Sequence, residues 1–285
     1  MFFSQLELLT ESEVGQLKLL REFFMDIDTA CVAFSGGVDS SLVATIAQEQ
    51  LGSKAFAVTG VSPSLAPYLL EQARLQAAWI GIRHEECNTN EINEPNYFKN
   101  PENRCFACKK ELHRHLNQIS KKYDNAQILD GVNLDDLSDF RPGIKASNQA
   151  GVISPLAELK INKKTIRLIS KSLGLPWWDK PAQPCLASRI PFGEEISSKR
   201  LEQIALAEEW IIKQGFSRVR VRSQGLSARI ELPVNEIENF LKIIERNKLV
   251  KYFLYLGFHS ISLDLEGFIS GKLTREIKDN LKNNL

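Results

Sequence analysis

Residues 31–52 read CVAFSGGVDSSLVATIAQEQLG. The apolar run Ala30–Phe34 is of buried-strand type and passes directly into Ser35, Gly36, Gly37, Val38, Asp39, Ser40 and Ser41. Leu42, Val43, Ile46 and Ala47 then recur at helical spacing. A strand that ends in a glycine turn and reopens as a helix aims backbone N–H groups and the positive end of the helix dipole at one spot, where an anion is stabilised. Two glycines allow close backbone approach and φ values closed to other residues. A Walker A loop would carry Gly-Lys-Ser/Thr here, its lysine reaching the terminal phosphates of a nucleotide. The turn has no lysine, so the cradle is of another kind.

Outward from this turn the pattern alternates. Residues 55–60 (AFAVTG), 82–87 (IRHEEC) and 126–131 (AQILDG) repeat the strand signal, and Leu65, Leu69, Leu70, Ala73 and Ala77 mark a helix between the first two. Strands alternating with helices predict an α/β fold with right-handed crossovers and a mostly parallel sheet, with ligands beyond the carboxyl ends of the strands. Asn88–Lys110 is polar and rich in Asn and Pro, and reads as a long loop. Prolines at 176, 181, 184 and 191 mark a linker. After it come a helix capped by Ser197 or Ser198 and stopped by Gly215, two strands around a Gly turn, a helix from about Asn235 to Lys248, and SISLDLEG. The expected organisation is therefore a domain over 1–175 that carries the glycine turn, a linker over 176–196 that holds Cys185, and a smaller C-terminal α+β domain over 197–285.

The chain has 285 residues, 43% of them hydrophobic and 25% charged, enough for a sizeable core. A net charge of +1 gives no global basic field to gather nucleic acid, so none is expected as a partner. No apolar stretch is long enough to cross a bilayer. Residues 1–24, with Glu7, Glu11 and Glu13 among apolar residues, read as a first helix rather than a signal peptide. Five cysteines, an odd count in a chain this size, suit a reducing cytoplasm with thiols available for chemistry or metal.

The string SGGVDSS resembles the pyrophosphate loop of the PP-loop (adenine nucleotide α-hydrolase) superfamily. That resemblance implies a Rossmann-like fold, cleavage of ATP between its α and β phosphates, and adenylation of a substrate oxygen. Residues 131–143 (GVNLDDLSDFRPG) are similar to a stretch of several adenylating PP-loop enzymes. Gly131 and Asp135 would join Ser35–Ser41 around the nucleotide, with Asp39 essential to adenylation. The carboxylates Asp135, Asp136 and Asp139 are placed to hold Mg²⁺ or to position basic groups, or they form an acidic solvated loop.

With NRCFACKKELH, PCLASRIPFG, VRVR, ARIE and LDLEG, the resemblance narrows to the LarE family of ATP-dependent sulfur transferases and covers nearly all the chain. It implies adenylation of a carboxylate of pyridinium-3,5-biscarboxylate mononucleotide and its conversion to a thiocarboxylate for the nickel-pincer nucleotide cofactor. It also implies a homo-oligomer, and assigns substrate binding and oligomerisation to the C-terminal domain. Sulfur comes either from a sacrificial cysteine at the position of Cys185 or from a [4Fe-4S] cluster held by three cysteines, here Cys105, Cys108 and Cys185. Three soft ligands are too few to close a structural zinc site and suit a cluster with one open corner. A zinc site using His113 and His115, expected on an exposed helix, and a CxxC redox pair stay open beside it.

Strand alternation puts Arg218, Arg220 and Arg222 on one face, where an anion would relieve their mutual repulsion. The resemblance implies phosphate contacts for Arg220 and Arg222, substrate contacts for Ser188 and Arg189, and for Glu231 orientation of the pyridinium or its ribose. Trp177 and Trp178 would stack on a ring or seal a domain interface. Two alternatives remain: a PP-loop enzyme that thiolates tRNA, and a nucleotide-binding regulator without chemistry.

Overall fold

The structure is a computed structural model of the chain and describes residues 9–138, 141–269 and 272. Strands β1 (Ala30–Ala33), β2 (Ala55–Val61), β3 (Arg83–Asn88) and β4 (Gln127–Leu129) form a wholly parallel sheet in the order β3-β2-β1-β4. A second sheet holds β5 (Arg220–Gln224), β6 (Ser227–Glu231) and β7 (Ser260–Leu263), with β5 antiparallel and β7 parallel to β6. The helices in chain order are α1 (Glu11–Phe23), α2 (Val38–Leu51), α3 (Pro67–Ile80), α4 (Pro95–Phe98), α5 (Arg104–Ser120) and α6 (Pro142–Gln149). They continue with α7 (Pro155–Glu158), α8 (Lys163–Ser172), α9 (Ser198–Lys213), α10 (Val234–Ile243) and α11 (Arg246–Tyr255). No described helix is long and apolar enough to cross a membrane.

The chain divides into two compact units, Met1–Glu94 with Asn103–Gln183, and Pro95–Glu102 with Pro184–Leu285. The first is an α/β unit of the expected kind. Strand β1 lies between β2 and β4 and is buried along its whole length, which is why it reads as an unbroken apolar run. On one face of the sheet, Leu42, Val43, Ile46 and Ala47 of α2 pack with Val32, with Leu17 and Leu20 of α1, and with Ile166 and Ile169 of α8. A smaller cluster holds Cys31, Phe56, Val58, Cys87, Leu116 and Ile128. Cys31 is thus the core thiol that its strand position predicts, and burial pushes its pKa up to about 12. Helix α1 opens on a capping box, Glu13 N donating to Thr10 Oγ1 at 3.4 Å and Thr10 N to Glu13 Oε2 at 2.8 Å. Glu7 lies outside the described residues.

Two expectations are corrected. The Asn88–Lys110 segment is not one long loop: it contains α4 and the start of α5, which Asn103 precedes. The helix expected over 235–248 is two helices. The extended backbone at Ile244 and Glu245 turns the chain so that Phe240 of α10 and Leu249 and Phe253 of α11 enter the same core as Val221 and Ile230. Ser197 caps α9, accepting from Arg200 N, and Gly215 at φ +101° follows its end.

Leu42 is fully buried at the centre of the first core. Leu42→Ala is expected to destabilise the protein by about 2–5 kcal/mol, read as a fall in the urea midpoint at unchanged slope.

Candidate active site

The glycine turn leaves the carboxyl end of β1. Gly36 adopts φ +66°, and a Cβ there would come within 3.2 Å of Ala73 Cα, so the position needs glycine on both counts. Gly37 precedes α2 in extended conformation without a side-chain cap, which leaves the first N–H groups of the helix to a ligand or water. Inside the turn, Ser40 Oγ accepts from Ser35 N at 3.3 Å and donates to the Gly37 carbonyl at 3.2 Å. Ser41 Oγ donates to Gln76 Oε1 at 3.0 Å. Val38, Ser40 and Ser41 are buried and hold the turn in shape, whereas Ser35 is exposed and Asp39 half-exposed.

Gly131 follows β4 and lies against the start of α2. A Cβ on it would be 2.6 Å from Ser40 N and 3.0 Å from the Asp39 carbonyl carbon, so the two backbones meet only because that atom is missing. The loop beyond Gly131 is built by its own polar groups. Asn133 Oδ1 accepts from Asp135 N at 3.0 Å and Asp136 N at 3.3 Å, while Asp136 Oδ2 accepts from Asn133 N at 3.1 Å. Arg141 pairs with Asp136 at 2.8 Å; burial nonetheless raises the Asp136 pKa, and Asp39 nearby adds to the rise. Asp135 Oδ2 accepts from Lys163 N at 2.8 Å. Asp139 lies outside the described residues.

A lysine does reach the turn. Lys163 at the start of α8 pairs its ammonium with Asp39 Oδ2, and Asn133 Nδ2 donates to Asp39 Oδ1 at 3.3 Å. A second lysine, Lys180, donates to the Gly36 carbonyl at 3.1 Å. Trp177 packs edge-on against Trp79 with centroids 5.3 Å apart, and Lys171 lies over Trp178 at 4.9 Å.

Cys105 lies in the first turn of α5 and Cys108 at the start of the second, Cys105 exposed and Cys108 half-buried. Three residues apart on a helix, they face the same side. His113 is not on an exposed face. It is 1% exposed, Nε2 lies 3.0 Å from Ser147 Oγ, and burial lowers its pKa to about 4. His115 bonds Glu111 Oε1 at 3.0 Å.

In the second unit, Cys185 is half-buried and heads a single 3₁₀ turn, Leu186–Arg189. Arg189 is buried and forks onto Glu208 at 2.8 and 3.0 Å; its remaining nitrogen holds the carbonyls of Pro184 at 2.7 Å and Cys185 at 3.2 Å. Glu208 also accepts from Val221 N at 2.9 Å, so one carboxylate ties the cysteine turn to β5. Arg222 donates to Glu231 Oε1 at 3.0 Å and to the Ser188 carbonyl at 2.7 Å. Arg229 lies 3.5 Å from Glu231 and 3.3 Å from Asp264.

Arg220 differs from these. Among the described residues no carboxylate pairs with it; its guanidinium lies 4.0 Å over the Phe268 ring. Burial, then the charges of Arg189 and Arg222, lower its pKa to about 10. Arg218 is exposed and precedes β5, so only Arg220 and Arg222 of the expected trio share a buried face. Glu231 is fully buried, and among the described residues its Oε2 has no hydrogen-bond partner. A desolvated guanidinium outside any ion pair of the described residues, opposite a carboxylate oxygen without a donor among them, suits a ligand with an anionic group and a donor group.

The family model for asparagine synthase matches residues 25–99, from the end of α1 to the segment after β3. A Lactiplantibacillus plantarum protein, pyridinium-3,5-bisthiocarboxylic acid mononucleotide synthase, is 33% identical over 249 residues, 87% of this chain and 90% of its own. The chain belongs to the LarE family of PP-loop proteins. A Synechocystis protein of uncharacterised function is 52% identical over 261 residues, 92% of this chain and 97% of that one. A Methanocaldococcus jannaschii protein, also uncharacterised, is 33% identical over 237 residues, 82% and 88% of the two chains.

In this LarE protein the residues missed at the sequence level are Lys163, Lys180, Asn133 and Glu208. Asn162 does cap α8, accepting from Thr165 N at 2.9 Å; that cap marks where α8 starts but not where Lys163 points.

Gly131→Ala must push the start of α2 away from β4, and ATP binding by equilibrium dialysis is expected to fall at least tenfold. His113 supplies a pH test. The unfolded imidazole takes a proton below about 6.5, the folded one only below about 4. Between these values the unfolded chain binds the extra proton, so stability falls as pH falls. Unfolding free energies at pH 7 and pH 5 should differ, and His113→Gln should shrink the difference.

Proposed function

We propose that this protein is an ATP-dependent sulfur transferase that adenylates a carboxylate of pyridinium-3,5-biscarboxylate mononucleotide and converts it to a thiocarboxylate, with AMP and pyrophosphate as co-products. The observation that carries the reading is the glycine turn of β1 and α2 with Lys163 paired to Asp39 at its mouth. Free helix N–H groups and an ammonium on one side of the turn suit the pyrophosphate end of ATP. Mg²⁺ arrives with the triphosphate, and Asp39, whose present partners are both donors, keeps lone pairs to hold it. As the α–β bond breaks, Lys163 offsets the charge gathering on pyrophosphate.

The second unit supplies the substrate's charge complement. Arg220 and Arg222 receive the nucleotide phosphate, and Glu231 Oε2 receives a donor of the pyridinium ribose. Arg189 and Ser188 hold the turn that presents Cys185. Cys105, Cys108 and Cys185 would ligate a [4Fe-4S] cluster, which would supply a labile sulfide as the sulfur donor. The shared side of Cys105 and Cys108 on α5 favours this over loss of the Cys185 sulfur itself. A near-neutral net charge weighs against a tRNA acceptor.

The test uses anaerobically purified protein with ATP, Mg²⁺ and the biscarboxylate mononucleotide. AMP and pyrophosphate should appear only with the substrate present and be abolished by Asp39→Ala; ADP as product would overturn the reading. Brown protein that loses iron and sulfide on Cys105→Ala supports the cluster. A colourless, fully active protein whose Cys185 loses the mass of one H₂S on turnover overturns it.

A further inference from the structure

We propose that Lys180 is a latch that fixes the orientation of the Gly36–Gly37 peptide and so sets the affinity of the turn for the pyrophosphate half of ATP. The inference rests on the reading of that turn as a nucleotide cradle. Lys180 lies 144 residues from Gly36 in sequence, yet its Nζ donates to the Gly36 carbonyl at 3.1 Å. No charged group accompanies it: among the described residues this carbonyl is its one hydrogen-bond partner, and burial lowers the amine pKa to about 8. A half-buried ammonium without a carboxylate is costly to keep, and a side chain that merely packed the linker would do better apolar.

The geometry says what the lysine secures. Gly36 is in the left-handed region and Gly37 in the extended region, and two consecutive glycines give the peptide between them little local preference for either face. In a trans peptide the C=O and N–H point to opposite sides. A donor fixed on the Gly36 oxygen therefore fixes the Gly37 N–H on the far side, where it meets Ser35 Oγ at 3.3 Å. That bond is long for N–H···O, and a phosphate oxygen replaces it readily. A flipped peptide would put a carbonyl oxygen where the donor stands, and an oxyanion would be repelled.

The Gly37 N–H is one of several donors at the turn, and the latch acts on the β and γ phosphates rather than on the nucleoside. Calorimetric titration of the full chain with ATP, pyrophosphate and AMP tests it. Lys180→Met is expected to weaken ATP and pyrophosphate about tenfold or more, the effect of one charge-assisted hydrogen bond, and to leave AMP within about twofold. Lys180→Arg, which keeps the charge and the donors, should recover most of the loss. If Lys180→Met does not fold, Lys180→Gln, too short to reach Gly36, carries the same expectation. ATP affinity equal to wild type in these variants overturns the latch. So does an equal loss of ATP and AMP, which would make Lys180 a residue that merely holds the fold. Wild-type protein that binds neither ATP nor pyrophosphate overturns the cradle reading underneath.

Discussion

The first unit depends on one close approach, that of β4's exit to the start of α2. Gly131 lies where any Cβ would press into the amide nitrogen of Ser40, so the strand can end against the helix only without a side chain. That contact sets the height of α2 over the sheet. It also brings Asn133 and the Asp135–Asp136 loop to the mouth of the glycine turn, where Asn133 bonds Asp39. Serines 40 and 41 are spent inside the turn and against α3. The groups offered outward are the backbone N–H donors, one hydroxyl and one carboxylate.

Such a cradle carries little positive charge of its own beyond the helix dipole, worth a fraction of an elementary charge. A polyphosphate needs more. The chain delivers it from a distance: Lys163 comes from the start of α8 and Lys180 from the proline-rich segment beyond it. The two lysines act on different parts of the turn. Lys163 stands at the carboxylate of Asp39, and Lys180 stands behind the Gly36 carbonyl, on the peptide that joins the two glycines. A Walker lysine sits inside its own loop, so loop and charge are set together. Here the loop and its cations come from separate elements and are joined by folding.

This separation explains what was legible in the sequence. Strands β1 and β2 read correctly because a buried strand leaves a continuous apolar run, and so did α2, because a strand, a glycine pair and a helical period follow one another without a gap; β3, at the sheet edge and mostly exposed, carries a polar run instead. Lys163 and Lys180 carry no such mark, since a lysine at a helix start or in a proline-rich stretch is ordinarily a solvated residue. The Cys105–Cys108 pair looked like loop because the Asn- and Pro-rich run before it masks the helix start that Asn103 marks. The break at Ile244–Glu245 was invisible because it has neither Gly nor Pro, and only the shared core of Phe240, Leu249 and Phe253 demands it. His113, a polar residue by type, is buried because α5 must pack against α6, where Ser147 meets its ring.

The second unit shows the same economy with arginine. Arg189 and Arg222 are each paired with a buried glutamate and each also grip the carbonyls around the Cys185 turn. Three buried guanidiniums face two buried carboxylates, Glu208 and Glu231, so one positive charge is left over, and the pairing leaves it on Arg220. Desolvation makes that excess costly, and the Phe268 ring recovers only part of the loss. A bound anion would cancel it. Arg189 and Arg222 shape the turn, whereas Arg220 is the one whose electrostatic state a bound anion changes most.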